Sequence, residues 1–114
     1  MALVFTPSHP FSGVNLYTYD NLDTEDSSPP KITPGGTEPL AGSIQAVGTF
    51  GGGTVKLQGS NDNTNWVDLN DTAGTVIGLT AEGGAEFSSS FLYLRPLITG
   101  GTGDDVDVFI TTRG

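Results

Sequence analysis

The 114 residues carry 13 acids against four Lys and Arg, a formal net charge of −9, with no cysteine and one histidine. That balance speaks against nucleic acid, where Lys and Arg must replace counterions along the phosphates, and against anionic membrane surfaces. Without cysteine there is no disulfide and no thiolate metal site, and no apolar run approaches the roughly 20 residues that span a bilayer.

The start, Met1 to Pro7, lacks the basic region and long apolar stretch of a signal peptide, so the expectation is a protein made and used without Sec export. Residues 1–39 hold six of the seven prolines, and residues 20–39 are polar, acidic and proline-rich, the composition of an extended linker without its own core. Ahead of that linker, Phe5, Phe11, Val14, Leu16, Tyr17 and Tyr19 are too apolar for a solvated tail. An extended segment with aromatics and no matching partner strand reads as one that docks on another surface. The competing reading folds it back on its own domain as an edge strand. Residues 1–39 are accordingly assigned as arm and linker and residues 40–114 as the folded domain. Phe5, Phe11, Leu16, Tyr17 and Tyr19 are the candidate contact residues of the arm.

From Leu40 the pattern changes to strands separated by glycine-rich turns. Ile44, Ala46, Gly48 and Phe50 alternate with more polar neighbours until Gly51-Gly52-Gly53 breaks the strand. Val55 and Leu57 alternate with Lys56 and Gln58. Gly59 to Asn65 is a turn, because Asn and Asp tolerate left-handed backbone and bond to it. Trp66 to Leu69 restarts the sheet, and weaker strands follow at 75–80 and 85–87. Phe91 to Ile98 is the most apolar strand, with Pro96 marking an edge or a bulge. After a turn at 100–104, Val106, Val108 and Ile110 line one face of the last strand. Roughly seven strands at this spacing predict an all-β fold, a small antiparallel, jelly-roll-like β-sandwich.

Catalysis is not expected. His9 sits between Ser8 and Pro10 in the arm, where nothing rigid holds a base beside a nucleophile. No carboxylate pair occupies an apolar setting that would raise one pKa for acid–base work. Asn61, Asp62, Asn63 and Asn65 superficially suggest a calcium loop, but Trp66 stands where such a loop needs glycine and Thr72 where it needs a bidentate Glu. Asp104, Asp105 and Asp107 divide between the two faces of a strand. No metal and no cofactor is expected. Trp66, Tyr93 and Arg95 have two readings: a sugar platform with the indole stacked on a pyranose, or a tryptophan plugging the sandwich. The second is the expectation, with Trp66, Leu57 and Phe91 as structural core.

The segment from Val55 to Leu69, VKLQGSNDNTNWVDL, resembles a hairpin of many small phage structural proteins, in which Gly-Ser-Asn-Asp ends one strand and Thr-Asn-Trp opens the next. Gly42 to Gly52 matches the strand that precedes it there, and Leu94 to Val108 the closing pair, so the likeness spans about residues 42–112 and leaves out the arm. The family it suggests is the virion-associated β-sandwich proteins of tailed phages, capsid decoration (cement) proteins among them. The resemblance implies a homotrimer on the capsid surface of the virion, made in the host cytoplasm, with the major capsid protein as partner. The same hairpin occurs in discoidin-like carbohydrate-binding domains. Those are roughly twice as long and usually carry disulfides, so a glycan-binding or host-contact module on a virion fibre is the alternative.

Overall fold

Alternation of apolar and polar residues at a period of two, cut by turn residues, is realised in a computed structural model as nine strands among the described residues. The structure describes residues 2–33 and 40–113. β1 (Val4–Phe11) and β2 (Val14–Leu22) form a hairpin closed by Ser12 and Gly13, with Gly13 at φ 75°. β3 (Leu40–Thr49), β4 (Thr54–Ser60), β5 (Val67–Asp68) and β6 (Gly78–Leu79) follow. β7 (Gly83–Ser89), β8 (Tyr93–Thr99) and β9 (Asp105–Arg113) complete the chain.

One sheet has five strands in the order β1-β2-β9-β3-β7, and every pairing in it is antiparallel. In the second, β4 pairs β8 on one side and β5 and β6 on the other. After β3 the chain crosses between the sheets at 50–53, 80–82, 90–92 and 100–104, so the two layers close over one core as a small β-sandwich. Tyr19, Leu22, Ile44, Phe87, Val108 and Ile110 face inward from the first sheet, and Val55, Leu57, Leu94 and Ile98 meet them from the second. The seven strands anticipated after residue 40 are β3 to β9; the first two strands belong to the segment read as an arm.

That segment is the main correction. Residues 4–22 are a hairpin hydrogen-bonded into the sheet, with β2 in register against β9 from Val14↔Arg113 to Leu22↔Val106. The driving force is burial: Tyr19 and Leu22 are wholly inside the core, and Val14 is buried at the hairpin end. The following stretch is tied in as well. Ile32 is buried and exchanges backbone hydrogen bonds with Leu94, N to O at 2.7 and 2.9 Å. Asp104, buried, accepts from the Thr24 amide and hydroxyl, both at 2.9 Å. Asp107 accepts from the amide of Asn21, which adopts φ 63° where the β2–β9 register shifts. The assigned break at residues 39 and 40 therefore divides one core. The linker prolines Pro34 and Pro39 lie outside the described residues.

Pro96 sits in β8, on the edge of its sheet, as anticipated. Leu94 points its N–H away from β4, toward Ile32. Two residues on, the proline nitrogen points the same way, so its missing proton costs the β4–β8 ladder nothing.

Candidate functional site

The outer face of the second sheet carries a connected row of polar side chains. Lys56 and Gln58 alternate with the buried Val55 and Leu57, so they point away from the core. In the neighbouring strands Asp68 stands opposite Gln58 on one side and Arg95 on the other. Lys56 Nζ reaches Asp68 Oδ2 at 3.3 Å, Gln58 Nε2 donates to Asp68 Oδ1 at 3.0 Å, and Arg95 Nε donates to Gln58 Oε1 at 3.1 Å. The Gln58 hydrogen bond is the largest influence on the Asp68 carboxyl and lowers its pKa; burial opposes it, and Lys56 adds to the lowering. Partial burial lowers that of Arg95.

Trp66 is two residues from Asp68 and shares its side of the strand, which places the indole on this outer face and not in the core. The ring is half-buried, with the Arg95 guanidinium 4.2 Å from its centroid. The expectation of Trp66 as a core plug is thus corrected. Leu57 is fully buried as anticipated, and Phe91 is half-buried and packed against the core over Gly59. Trp66, Tyr93 and Arg95 do come together on one face, but the indole's face is covered by Arg95, which leaves the arrangement different from an open stacking platform.

Beside this pair lies a groove of about 480 Å³, walled on one side by residues 27–31 and on the other by Asn63, Thr64, Trp66 and Arg95. Lys31 leans over Tyr93, its Nζ 5.8 Å from the ring centroid. Sequence reasoning missed Lys31 and the Ser27–Ser28 pair, because their composition reads as linker. The available signal was that Lys31 is the one base among residues 20–38. A wider depression of about 590 Å³ on the outer side of β3 and β7 is lined by Asp71 and Glu86 and by no Lys or Arg.

The Asn-rich turn is organised by Asp62 together with Ser60, whose Oγ accepts from the Asp62 and Asn63 amides at 3.2 and 3.0 Å. The Asp62 carboxylate accepts from the Thr64 and Asn65 amides at 2.9 and 2.8 Å, from Asn65 Nδ2 at 2.7 Å and from Ser60 Oγ at 2.9 Å. These bonds, that from the Asn65 amide first, hold its pKa well below the usual carboxylate range. Asp104 and Asp107 are likewise committed to Thr24 and Asn21. Among the described residues no three His, Cys, Asp or Glu stand together as metal ligands. His9 Nδ1 shares a hydrogen bond of 2.9 Å with Asn15 on the exposed hairpin.

The five arm candidates are separated by the fold. Tyr19 is fully buried and inaccessible to a partner. Phe5 packs on Tyr17 and Tyr19, ring centroids 6.2 and 4.8 Å away, and both Phe5 and Tyr17 lie partly buried against the core. Leu16 is half-buried on the opposite face of β2, and Phe11 is 70% exposed near the hairpin tip.

The chain matches no protein-family model, and comparison with curated proteins finds no match.

Proposed function

We propose that this protein is a non-enzymatic virion structural protein, a homotrimeric capsid decoration or cement protein that binds and stabilises the assembled major capsid shell. The observation that carries the reading is the outer edge of the five-stranded sheet. β1 has no partner beyond β2 among the described residues, seven of its eight residues are exposed, and it presents Val4 and Phe11 to solvent. Pro7 and Pro10 remove two N–H groups from β1, which disfavours indiscriminate strand addition and leaves side-chain docking as the mode of contact. A small contact of this kind gains strength by repetition over a symmetric shell. The resemblance of residues 42–112 to virion-associated sandwiches supplies the partner.

A second reading, a carbohydrate-binding or host-contact module on a virion fibre, is favoured by the groove beside Trp66 and Arg95.

The test is to quantify the chain in purified virions that encode it and to add it back to shells stripped of it. The cement reading expects copy numbers in fixed ratio to the major capsid protein, and saturable rebinding that raises the temperature of shell disruption. Absence from virions, or a few copies confined to a fibre, would overturn it.

A further inference from the structure

The groove between residues 27–31 and the Trp66–Arg95 pair concentrates positive charge on a strongly acidic protein. The chain has four Lys and Arg in all, and two of them, Lys31 and Arg95, line this one cavity. Neither makes a salt bridge among the described residues, where the one such pair is Lys56 with Asp68. Arg95 is fixed rather than free. Its Nε is held by Gln58 at 3.1 Å and its guanidinium carbon lies 4.2 Å from the Trp66 ring centroid, which leaves the two terminal nitrogens as donors for a ligand. Most acids of the adjoining turns are engaged locally, while Glu25 is exposed to solvent. Asp62 accepts four hydrogen bonds within its own turn, and Asp26 accepts from the Asp23 amide at 3.0 Å.

The remaining walls have a different character. Ser27, Ser28 and Asn63 offer paired donors and acceptors suited to hydroxyl groups. The indole edge and the ring of Pro30 supply apolar surface between them. A volume of about 480 Å³ is that of a small-ligand site and is narrow for a folded partner.

We infer that this groove binds a carboxylate-bearing saccharide, its carboxylate on Arg95 and Lys31 and its hydroxyls on Ser27, Ser28 and Asn63. The inference rests on the second reading above and sharpens it from a glycan to an acidic one. The local charge of the site is what selects: the net charge of −9 repels a carboxylate at long range, while Lys31 and Arg95 attract it within the groove as they would not a neutral sugar.

Trp66 is the sole tryptophan and borders the groove, so its fluorescence reports occupancy directly. The full chain is titrated with glucuronate- and galacturonate-containing disaccharides and with sialyllactose. Lactose and maltose are the neutral arms, and acetate and a Glu-Glu dipeptide are the non-sugar arms. At least one acidic saccharide is expected to saturate with a midpoint at least tenfold below those of every other arm. Lys31→Gln and Arg95→Gln are each expected to raise that midpoint at least tenfold while leaving thermal unfolding within a few degrees of the parent. Lys31 is exposed, so its variant serves even if Arg95→Gln disturbs the sheet. Equal midpoints for neutral and acidic sugars would overturn this inference and leave the carbohydrate reading standing. An equal response to acetate or dipeptide would overturn it in favour of a general carboxylate site. No saturable response to any saccharide would remove both the inference and the carbohydrate reading.

Discussion

Tyr19, fully buried beneath the five-stranded sheet, donates its hydroxyl to the Pro30 carbonyl at 2.6 Å. The bond fastens the second strand to the segment that carries Ile32 onto β8, so one phenol joins the two parts of the supposed arm to each other and to the core.

Burial, and secondarily the neighbouring Tyr17, raise the Tyr19 pKa well above its ordinary value of 10.0. The unfolded chain therefore releases this proton first as pH rises. The contribution of Tyr19 is complete below pH 10 and declines as pH climbs above it. Urea unfolding midpoints are expected to fall as pH rises above 10, and the fall should be shallower in Tyr19→Phe. At neutral pH that variant should lose about 1–2 kcal/mol, because the Pro30 carbonyl is left without its donor. An unchanged alkaline slope in the variant would remove Tyr19 as its source.

Deleting residues 1–39 is expected to abolish cooperative folding. The deletion takes Tyr19, Leu22 and Ile32 from the core, at about 1.5–3 kcal/mol for each buried side chain. It also strips β9 of its β2 ladder and leaves Asp104 buried without Thr24. Together these losses approach the whole stability of about 5–15 kcal/mol typical of a small domain. Circular dichroism and amide dispersion of the fragment 40–114 provide the measurement. A folded, cooperative fragment would restore the boundary at residue 39.

The sequence was most legible where alternation is clean and both neighbours in the sheet are near in pattern. Val55 and Leu57 in β4 and Val106, Val108 and Ile110 in β9 face the core as read. It was least legible where the partner strand is far along the chain. Tyr17 and Tyr19 alternate like any strand, but their partners Ile110 and Val108 lie some ninety residues away, and nothing local announces the match. Proline content then dominated the reading, although Pro7 and Pro10 are compatible with an edge strand. For the candidate site, residues alone allow Trp66, Tyr93 and Arg95 as a platform but favour Trp66 in the core, and the facing of Trp66 is what decides between them. The two-residue spacing from Asp68 held that information, since a paired carboxylate belongs on the wet side of a strand. Lys31 stands out in sequence only as the one base among residues 20–38; its placement depends on the Ile32–Leu94 bridge, which brings a linker-like segment against β8.

Gly59 is required by the ring packed upon it. It lies in β4 on the side of Val55 and Leu57, and a Cβ there would stand 2.7 Å from the Phe91 ring. Gly59→Ala is expected to cost about 1–3 kcal/mol through overpacking. Phe91→Leu in the same chain should relieve part of that cost, giving a coupling of about 0.5 kcal/mol or more in a double-mutant cycle read by urea denaturation. Strict additivity of the two substitutions would show that Phe91 is not what Gly59 accommodates.

Trp66 and Leu57 are expected to respond to truncation with costs of different size, which separates outer face from core. Leu57 is fully buried between the sheets, and Leu57→Ala should cost about 2–5 kcal/mol. Trp66 is half-buried, and its main resolved contact is the Arg95 guanidinium, a pairing worth about 0.5–1 kcal/mol at an accessible site. Trp66→Ala should therefore cost on the order of 1 kcal/mol, against the 3 kcal/mol or more of a tryptophan removed from a core. The two chemical unfolding curves, measured side by side, give the comparison. The indole supplies an independent readout in the native state. With Arg95 covering one face, the parent should show partial quenching by acrylamide, and Arg95→Ala should shift emission to longer wavelength and increase quenching without unfolding the protein. A Trp66→Ala loss as large as that of Leu57→Ala, together with emission insensitive to Arg95, would return the tryptophan to the core and close the groove it is proposed to border.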